Sequence, residues 1–355
     1  MSRKQVIVII IIAFFVGALG SLVINRFLIP YLATIKGWES LNKLATSSPI
    51  VINRTQTVQF NDGVDLLDLT KQASNVTVSF YRGTKPQLTF AGLGVLMSSD
   101  GLIFTSKTVV GTNTQMTVVL NDGSSYQGLV RAADPKSDLA VVTIQAPNLP
   151  TVQLGSGFGL QSTQRLISAG IGNKEFLRQV ETAQVSNPAA NNRFLDQNYS
   201  SEQLSDSFGT SFVFTSNFAG APIMDLNGKL VGLVGNDHGE IIIAENLQTG
   251  LSSYLSSGKI IRPKLGLLYS SLTALQASLK NFNKPGVVVL AADAGSPAQK
   301  AGLLPNDLIY EVDGQSLADK SFEQILNSHA ITDMNVKLLR AGKDMQIKIN
   351  LEATK

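Results

Sequence analysis

Few side chains in this 355-residue chain can make or break bonds, and that scarcity is the first constraint. A nucleophile working near neutral pH needs a neighbouring base, most often histidine, or a thiol that ionises easily. The chain has no cysteine and only two histidines, His238 and His329. His238 falls in a loop after a strand and His329 in a helix near the C-terminus, and both read as surface histidines. Ser106 and Lys107 invite a Ser–Lys pair. Consecutive strand residues point to opposite faces, so the two do not pair. No group of His, Asp or Glu has the spacing of a metal site, and no cofactor is expected. The glycine runs at 91–94 and 155–159 open no helix on a phosphate and read as turn and packing glycines. A net charge of +3 with no Lys/Arg cluster argues against nucleic acid. Without cysteine there is no disulfide framework.

The elements that must position these groups follow from pattern. Residues 6–25 are uncharged and mainly apolar, long enough to span a bilayer and lacking the polar stripe of a core helix. We expect a short cytoplasmic tail over 1–5, a membrane anchor over 6–29 and a stalk over 30–63. The stalk is a spacer or an oligomerisation element. The alternative to an anchor is a cleaved signal peptide, with Arg3 and Lys4 ahead of the apolar run and Ala18-Leu19-Gly20 as the cleavage site. From 64 to 258 short β-forming runs alternate with turns, at 75–82, 93–97, 102–105, 116–120, 126–131 and 139–144. Ser99-Asp100-Gly101 and Asn121-Asp122-Gly123 are hairpin signals. Strands this short and close argue for a sandwich or barrel. Residues 188–211 are polar and poor in β-formers, and read as an extended surface loop. A second module runs from 260 to 355. In it Phe322, Ile325, Leu326 and His329 fall at helical i, i+3, i+4, i+7 spacing, which serves either a core face or a groove.

Three stretches carry a resemblance: residues 90–110 (FAGLGVLMSSDGLIFTSKTVV), 134–140 (DPKSDLA) and 216–223 (SNFAGAPI). In order and spacing they resemble landmarks of the HtrA (DegP/DegS-like) serine proteases. The resemblance implies a trypsin-like double β-barrel. In that family the first landmark ends in T-N-x-H-V with the catalytic His, the second carries the Asp, and the third is G-N-S-G-G-P with the Ser. Here Thr108 stands at the His position and Ala219 at the Ser position, and only Asp138 matches. Alanine offers no nucleophile, and threonine no base that titrates near neutrality. Asp138 then has no imidazolium to stabilise, and is expected to bond Thr108 or backbone amides. Asn217 stands where a glycine donates an oxyanion-hole amide, and Phe218, replacing the Asn, is expected to fill the cleft.

The C-terminal module, with S-P-A-Q-K-A-G-L-L-P-N-D-L-I-Y-E-V-D-G at 296–314, resembles the PDZ domain that follows the protease domain in this family. R-P-K-L-G at 262–266 resembles its linker. The resemblance makes Lys264, Leu265, Gly266 and Leu267 a carboxylate-binding loop and Leu267-Leu268 the start of a strand that receives a peptide. Lys264 either adds charge attraction or is merely solvated. The expected whole is all-β dominated: an N-terminal transmembrane helix, a trypsin-like double β-barrel and a C-terminal PDZ-like α+β domain. The expected function is that of a membrane-anchored, extracytoplasmic pseudoprotease that binds peptide or protein C-termini. It would act as adaptor, chaperone-like binder or regulatory partner in envelope protein quality control. The resemblance further implies a homo-trimer or a hetero-oligomer with an active HtrA protease. Two alternatives stay open: an active HtrA-type serine endopeptidase, and a structural envelope scaffold.

Overall fold

The strand β3 (Leu102–Ser106) is buried along its whole length. Its side chains alternate between two cores, as the period of two in a strand requires. Ile103 joins Val78, Phe80 and Val118, while Leu102 and Phe104 join Ile167, Met224 and Leu233. A strand dry on both faces belongs to a sheet that closes on itself and also packs on a neighbour. The structure, a computed structural model, describes residues 64–83, 87–171, 178–188, 198–236, 240–280 and 282–354. The expected anchor and stalk lie outside the described residues. Among the described ones no helix is long and apolar enough to cross a membrane.

The first sheet is a closed barrel in the order β1-β2-β3-β6-β5-β4. Its strands are β1 (Thr77–Arg82), β2 (Thr89–Leu96), β3, β4 (Gln115–Val119), β5 (Ser125–Ala133) and β6 (Leu139–Thr143). The strand expected at 75–82 starts only at Thr77, because α1 (Val64–Val76) precedes it. Leu66, Leu69, Ala73 and Val76 recur at helical spacing and pack into the core between the two sheets.

The second sheet runs β11 (Gly209–Thr210), β9 (Arg178–Asn187), β8 (Arg165–Ile171), β12 (Pro222–Asp225), β13 (Lys229–Val234), β14 (Ile241–Ile243), with β7 (Gln153–Leu154) parallel to β13. Among the described strands this sheet does not close. A helix the sequence reading missed, α3 (Ala244–Ser257), follows β14. It stops at Gly258, whose φ of 70° suits glycine and whose N–H reaches the Tyr254 carbonyl at 2.7 Å.

The C-terminal sheet runs β16 (Leu267–Leu272), β17 (Gly286–Ala292), β18 (Leu308–Val312), β20 (Asp333–Arg340), β21 (Lys343–Asn350), with β19 (Gln315–Ser316) on β18. Two short helices, α4 (Ala274–Leu279) and α5 (Pro297–Lys300), join its strands, and α6 (Phe322–Ser328) packs on it through Phe322, Ile325 and Leu326. A separate two-stranded ladder joins β15 (Pro263–Lys264) to β22 (Glu352–Ala353). On the free edge of β16 sits one more strand, β10 (Asn198–Ser200), which comes from the middle of the protease-like half. The reading of 188–211 as a plain surface loop is therefore corrected. Tyr199, Ser201, Leu204, Asp206 and Phe208 are all buried. The composition was silent because strand addition uses main-chain groups that every residue carries.

Candidate functional site

Two sites emerge, and one turn, residues 134–138, touches both. At the first, β3 ends on Ser106, which caps the short helix α2 (Lys107–Val110) by accepting from the Thr108 N–H at 2.9 Å. The Ser106 hydroxyl donates to Oδ2 of Asp138, and the exposed Thr108 hydroxyl donates to the same oxygen at 3.1 Å. Lys107 turns away: its ammonium donates to the Asp134 carbonyl at 3.1 Å, so no Ser–Lys pair forms. The Asp138 carboxylate is thus held by two hydroxyls, neither of which can take a proton near neutrality.

Across the cleft, Ser216–Phe218 winds into a 3-10 turn, closed by the Phe218 N–H on the Thr215 carbonyl at 2.9 Å. Ala219 follows and is 3% exposed, with its methyl in the first-barrel core beside Val109. Its carbonyl accepts from the Leu93 N–H at 2.7 Å. Gly220, at φ +78°, could not carry a side chain, since a Cβ there would lie 1.9 Å from the Leu93 carbonyl oxygen. Phe218 does not fill the cleft, contrary to expectation. Its ring enters the core of the second sheet over Gly170, where a Cβ would lie 2.4 Å from Cε1. The 3-10 turn aims the ring inward, edge-on to Phe214 with centroids 6.5 Å apart. The amides of Phe218, Gly220 and Ala221 are committed to backbone carbonyls. Glu240, which the sequence reading did not single out, lies near Asp138. Its carboxyl is pushed up by desolvation and then by the Asp138 charge. His238 lies outside the described residues.

The 134–138 turn is anchored by Arg262, which is 1% exposed. Its guanidinium reaches Oδ2 of Asp134 at 2.6 Å through Nη2 and at 3.1 Å through Nε, and the Asn246 carbonyl at 2.9 Å. The linker arginine therefore ties the C-terminal module to α3 and to the loop that carries Asp138.

The second site is the groove between β16 and α6. The three loop amides assigned to carboxylate binding are all engaged by one segment of the chain itself. Leu265 N–H and Gly266 N–H donate to Oε1 of Glu202, at 3.0 and 2.7 Å, and Leu267 N–H donates to the Ser201 hydroxyl at 2.8 Å. Upstream, β10 pairs antiparallel with β16, setting Tyr199 opposite Tyr269 and Ser200 opposite Leu268. The Tyr199 ring stacks on Tyr269 at 5.9 Å, and Tyr269 meets Phe322 edge-on at 5.2 Å. Beyond the first residue of β10, Asn198, the groove opens on a cavity of 820 Å³ lined by Ser271, Pro285, Ser321 and Phe322 among others.

Phe322, Ile325 and Leu326 are at most 2% exposed and belong to the module's core. His329 leaves the groove face. The helix stops at Ser328, and Nε2 of His329 lies 2.7 Å from Oδ2 of Asp313. Lys264 is exposed on β15; the ammonium nearest the Glu202 carboxylate is that of Lys136, at 3.7 Å. Burial opposes ionisation of Glu202, yet Lys136 and the Gly266 and Leu265 amides outweigh it and hold its carboxyl below the usual range. The Lys136 ammonium also donates to the Ser201 carbonyl, and burial pulls it down from the ordinary lysine value. Glu202, Tyr199 and Lys136 escaped the sequence reading. Lys136 lies inside a motif that was read, but nothing in the pattern says that its side chain turns inward.

Comparison with known proteins agrees with this geometry. The trypsin-like peptidase domain family matches residues 92–233 and the PDZ domain family residues 288–328. A probable periplasmic serine endoprotease, DegP-like, of Chlamydia trachomatis is 27% identical over 274 residues, covering 73% of this chain and 53% of its own length. The chain thus spans about half the length of that relative. Serine endoprotease DegS of Haemophilus influenzae is 27% identical over 285 residues, 75% of this chain and 78% of its own. Among solved structures, the HtrA-type protease AlgW with a tripeptide superposes with a TM-score of 0.65 at 24% identity, covering 81% of this chain and 97% of its own. The serine endoprotease from Yersinia pestis gives 0.53 at 20% identity, over 81% and 98%.

Proposed function

The chain belongs to the HtrA family of trypsin-like proteases that carry a PDZ domain, and from that premise we propose that it is a non-catalytic member that binds protein C-termini. The observation that carries this reading is the environment of Asp138, whose carboxylate takes the Ser106 and Thr108 hydroxyls where a triad would present an imidazole. The methyl of Ala219 stands where the attacking hydroxyl belongs. Acyl transfer requires an oxygen that attacks and a base that takes and returns its proton, and both are missing. Binding rests on the amides of Leu265, Gly266 and Leu267, on the β16 edge, and on the apolar wall around Phe322, Ile325 and Leu326. Relatives described as periplasmic support a place outside the cytoplasm; on this reading the apolar run within residues 6–29 is the anchor and envelope protein quality control the setting. A homo-trimer, or a hetero-oligomer with an active protease of the family, is the assembly this reading favours.

The test is direct. Protein lacking residues 1–30 leaves unfolded casein intact and takes no label from a serine-directed phosphonate. Loss of a serine nucleophile costs roughly 10⁶-fold in turnover. Cleavage or labelling that survives removal of contaminating proteases overturns the proposal. The full-length chain stays in the membrane pellet through carbonate washing, and an N-terminus near Ser21 found by mass spectrometry would instead mark a cleaved leader.

A further inference from the structure

The occupied groove is the least expected feature of the molecule. A PDZ-type groove takes an extended strand antiparallel to its receiving strand, with the strand's end at the loop amides. β10 has that direction, since residues 198 to 200 pair with 270 to 268 and the chain then runs to the loop. The Ser201 N–H continues the ladder by donating to the Leu267 carbonyl at 2.8 Å. At the loop the chain does not end, so there is no terminal carboxylate. Two side chains supply its oxygens instead: Oε1 of Glu202 for two amides and the Ser201 hydroxyl for the third. Ser201 thus occupies the place of a last residue, and Tyr199, two positions earlier, drives its ring against Tyr269.

The segment is also pinned beyond the groove. The Glu323 carboxylate, in the first turn of α6, accepts the Ser205 N–H at 2.7 Å, the Ser205 hydroxyl at 2.6 Å and the Asp206 N–H at 2.8 Å. The Ser321 hydroxyl donates to Asp206 at 2.7 Å. On the other side, Leu204 N–H donates to the Lys136 carbonyl at 2.9 Å. Acceptors and ring converge from one stretch of nine residues, 198–206, on a site shaped for a different chain end, and the Lys136 ammonium meets them from the 134–138 turn.

We infer that residues 198–202 are a built-in ligand of the groove, and that a free-ended peptide enters only by displacing them. This rests on the groove reading above and adds its resting state. The apparent affinity of such a site is its intrinsic affinity reduced by the fraction of molecules whose groove is open. Weakening the internal ligand therefore tightens binding of an outside one, the opposite of what loss of a binding residue does. Displacement also strips Lys136, on the Asp134–Asp138 turn, of the Ser201 carbonyl and the Glu202 carboxylate, so that a peptide-filled groove and a self-closed one leave that turn in different states.

The experiment uses the full-length chain and a fluorescein-labelled octapeptide ending Tyr-Ser-Val with a free carboxylate, read by polarisation, together with amide hydrogen exchange over residues 265–272. Glu202→Ala should bind the peptide at least tenfold more tightly than the native chain. Its 265–267 amides should exchange faster, and saturating peptide should restore their protection. Ser201→Ala, which deletes one acceptor and no core group, should shift both readouts in the same direction by less. If Glu202→Ala and Ser201→Ala leave affinity and exchange at native values, the inference is overturned. If exchange rises in the variants but no free-ended peptide binds any chain, the built-in ligand stands and the proposed C-terminus-binding function falls.

Discussion

Replacing Arg262 by methionine tests how the linker is held. The arginine is buried, and its partner Asp134 shows none of its side chain to solvent. Removing the guanidinium deletes two contacts to Oδ2 of Asp134, at 2.6 and 3.1 Å, and a donor to the Asn246 carbonyl at 2.9 Å. Asp134 keeps the Lys136 N–H at 2.9 Å and the Ser137 hydroxyl at 2.9 Å, and feels the Lys136 ammonium only at a distance, so the cation in contact with its carboxylate is lost. An uncompensated buried carboxylate left in this way costs about 3–5 kcal/mol. At about 2 °C per kcal/mol for a unit of this size, Tm falls by about 6–10 °C in a calorimetric scan. Adding Asp134→Leu removes the stranded charge, and the double variant should recover most of the loss, because apolar replacement of both partners is often close to neutral. A single-variant cost under about 1 kcal/mol, or a double variant no better than the single, would refute the idea that this pair is a dry ionic clasp.

Three further outcomes are expected. Thr108→His with Ala219→Ser should still hydrolyse casein about 10²–10³-fold more slowly than an active family member, since the oxyanion turn is wound as a 3-10 helix with Phe218 locked into the core; full activity would show the turn to be competent. Gly220→Ala should lower stability by more than about 1–3 kcal/mol, from the φ of +78° alone before the clash with the Leu93 carbonyl is added; a neutral effect on the urea midpoint would contradict the geometry. The Glu202 carboxyl is held below its ordinary value, so its contribution is present above a pH of about 4.3 and is lost as pH falls through the lower folded value. Protection of the Leu265 and Gly266 amides should stay level from pH 7 to 5 and fall only in stronger acid; loss between pH 7 and 6 would mean that another group holds the segment.

Much of the fold could be read from turn chemistry and motif. Gly101 and Gly123 end hairpin turns at φ +105° and +83°, values that the Ser-Asp-Gly and Asn-Asp-Gly sequences announce. The helix α1 was not read, although Leu66, Leu69, Ala73 and Val76 fall at helical spacing, because the β-formers from Thr77 onward drew the strand back to residue 75. Thr108 and Ala219 could be placed by resemblance, and Gly92 shows how closely β2 is approached by α2 and by the turn that carries Ala219: a Cβ there would lie 2.3 Å from Val109 and 2.9 Å from the Ala219 carbonyl oxygen. The inward turn of Phe218 was not legible, because a hydrogen bond within a three-residue turn decides which core a ring enters. The pairing of Glu202 with Gly266 was least legible of all. It joins positions 64 residues apart through backbone amides, which leave no mark in composition.

The strand laid on β16 has a consequence for how the chain keeps company with others of its kind. A barrel has no ends, but an open sheet presents at its border a row of unpaired amides and carbonyls on which any extended chain can build. In a crowded compartment full of unfolding polypeptide, a six-residue border such as β16 (Leu267–Leu272) is a template for aggregation. The three-residue β10 shortens that border to a stub carrying an asparagine and a serine. The chain thus caps its own border, and an extended polypeptide can build there only after β10 has been lifted away.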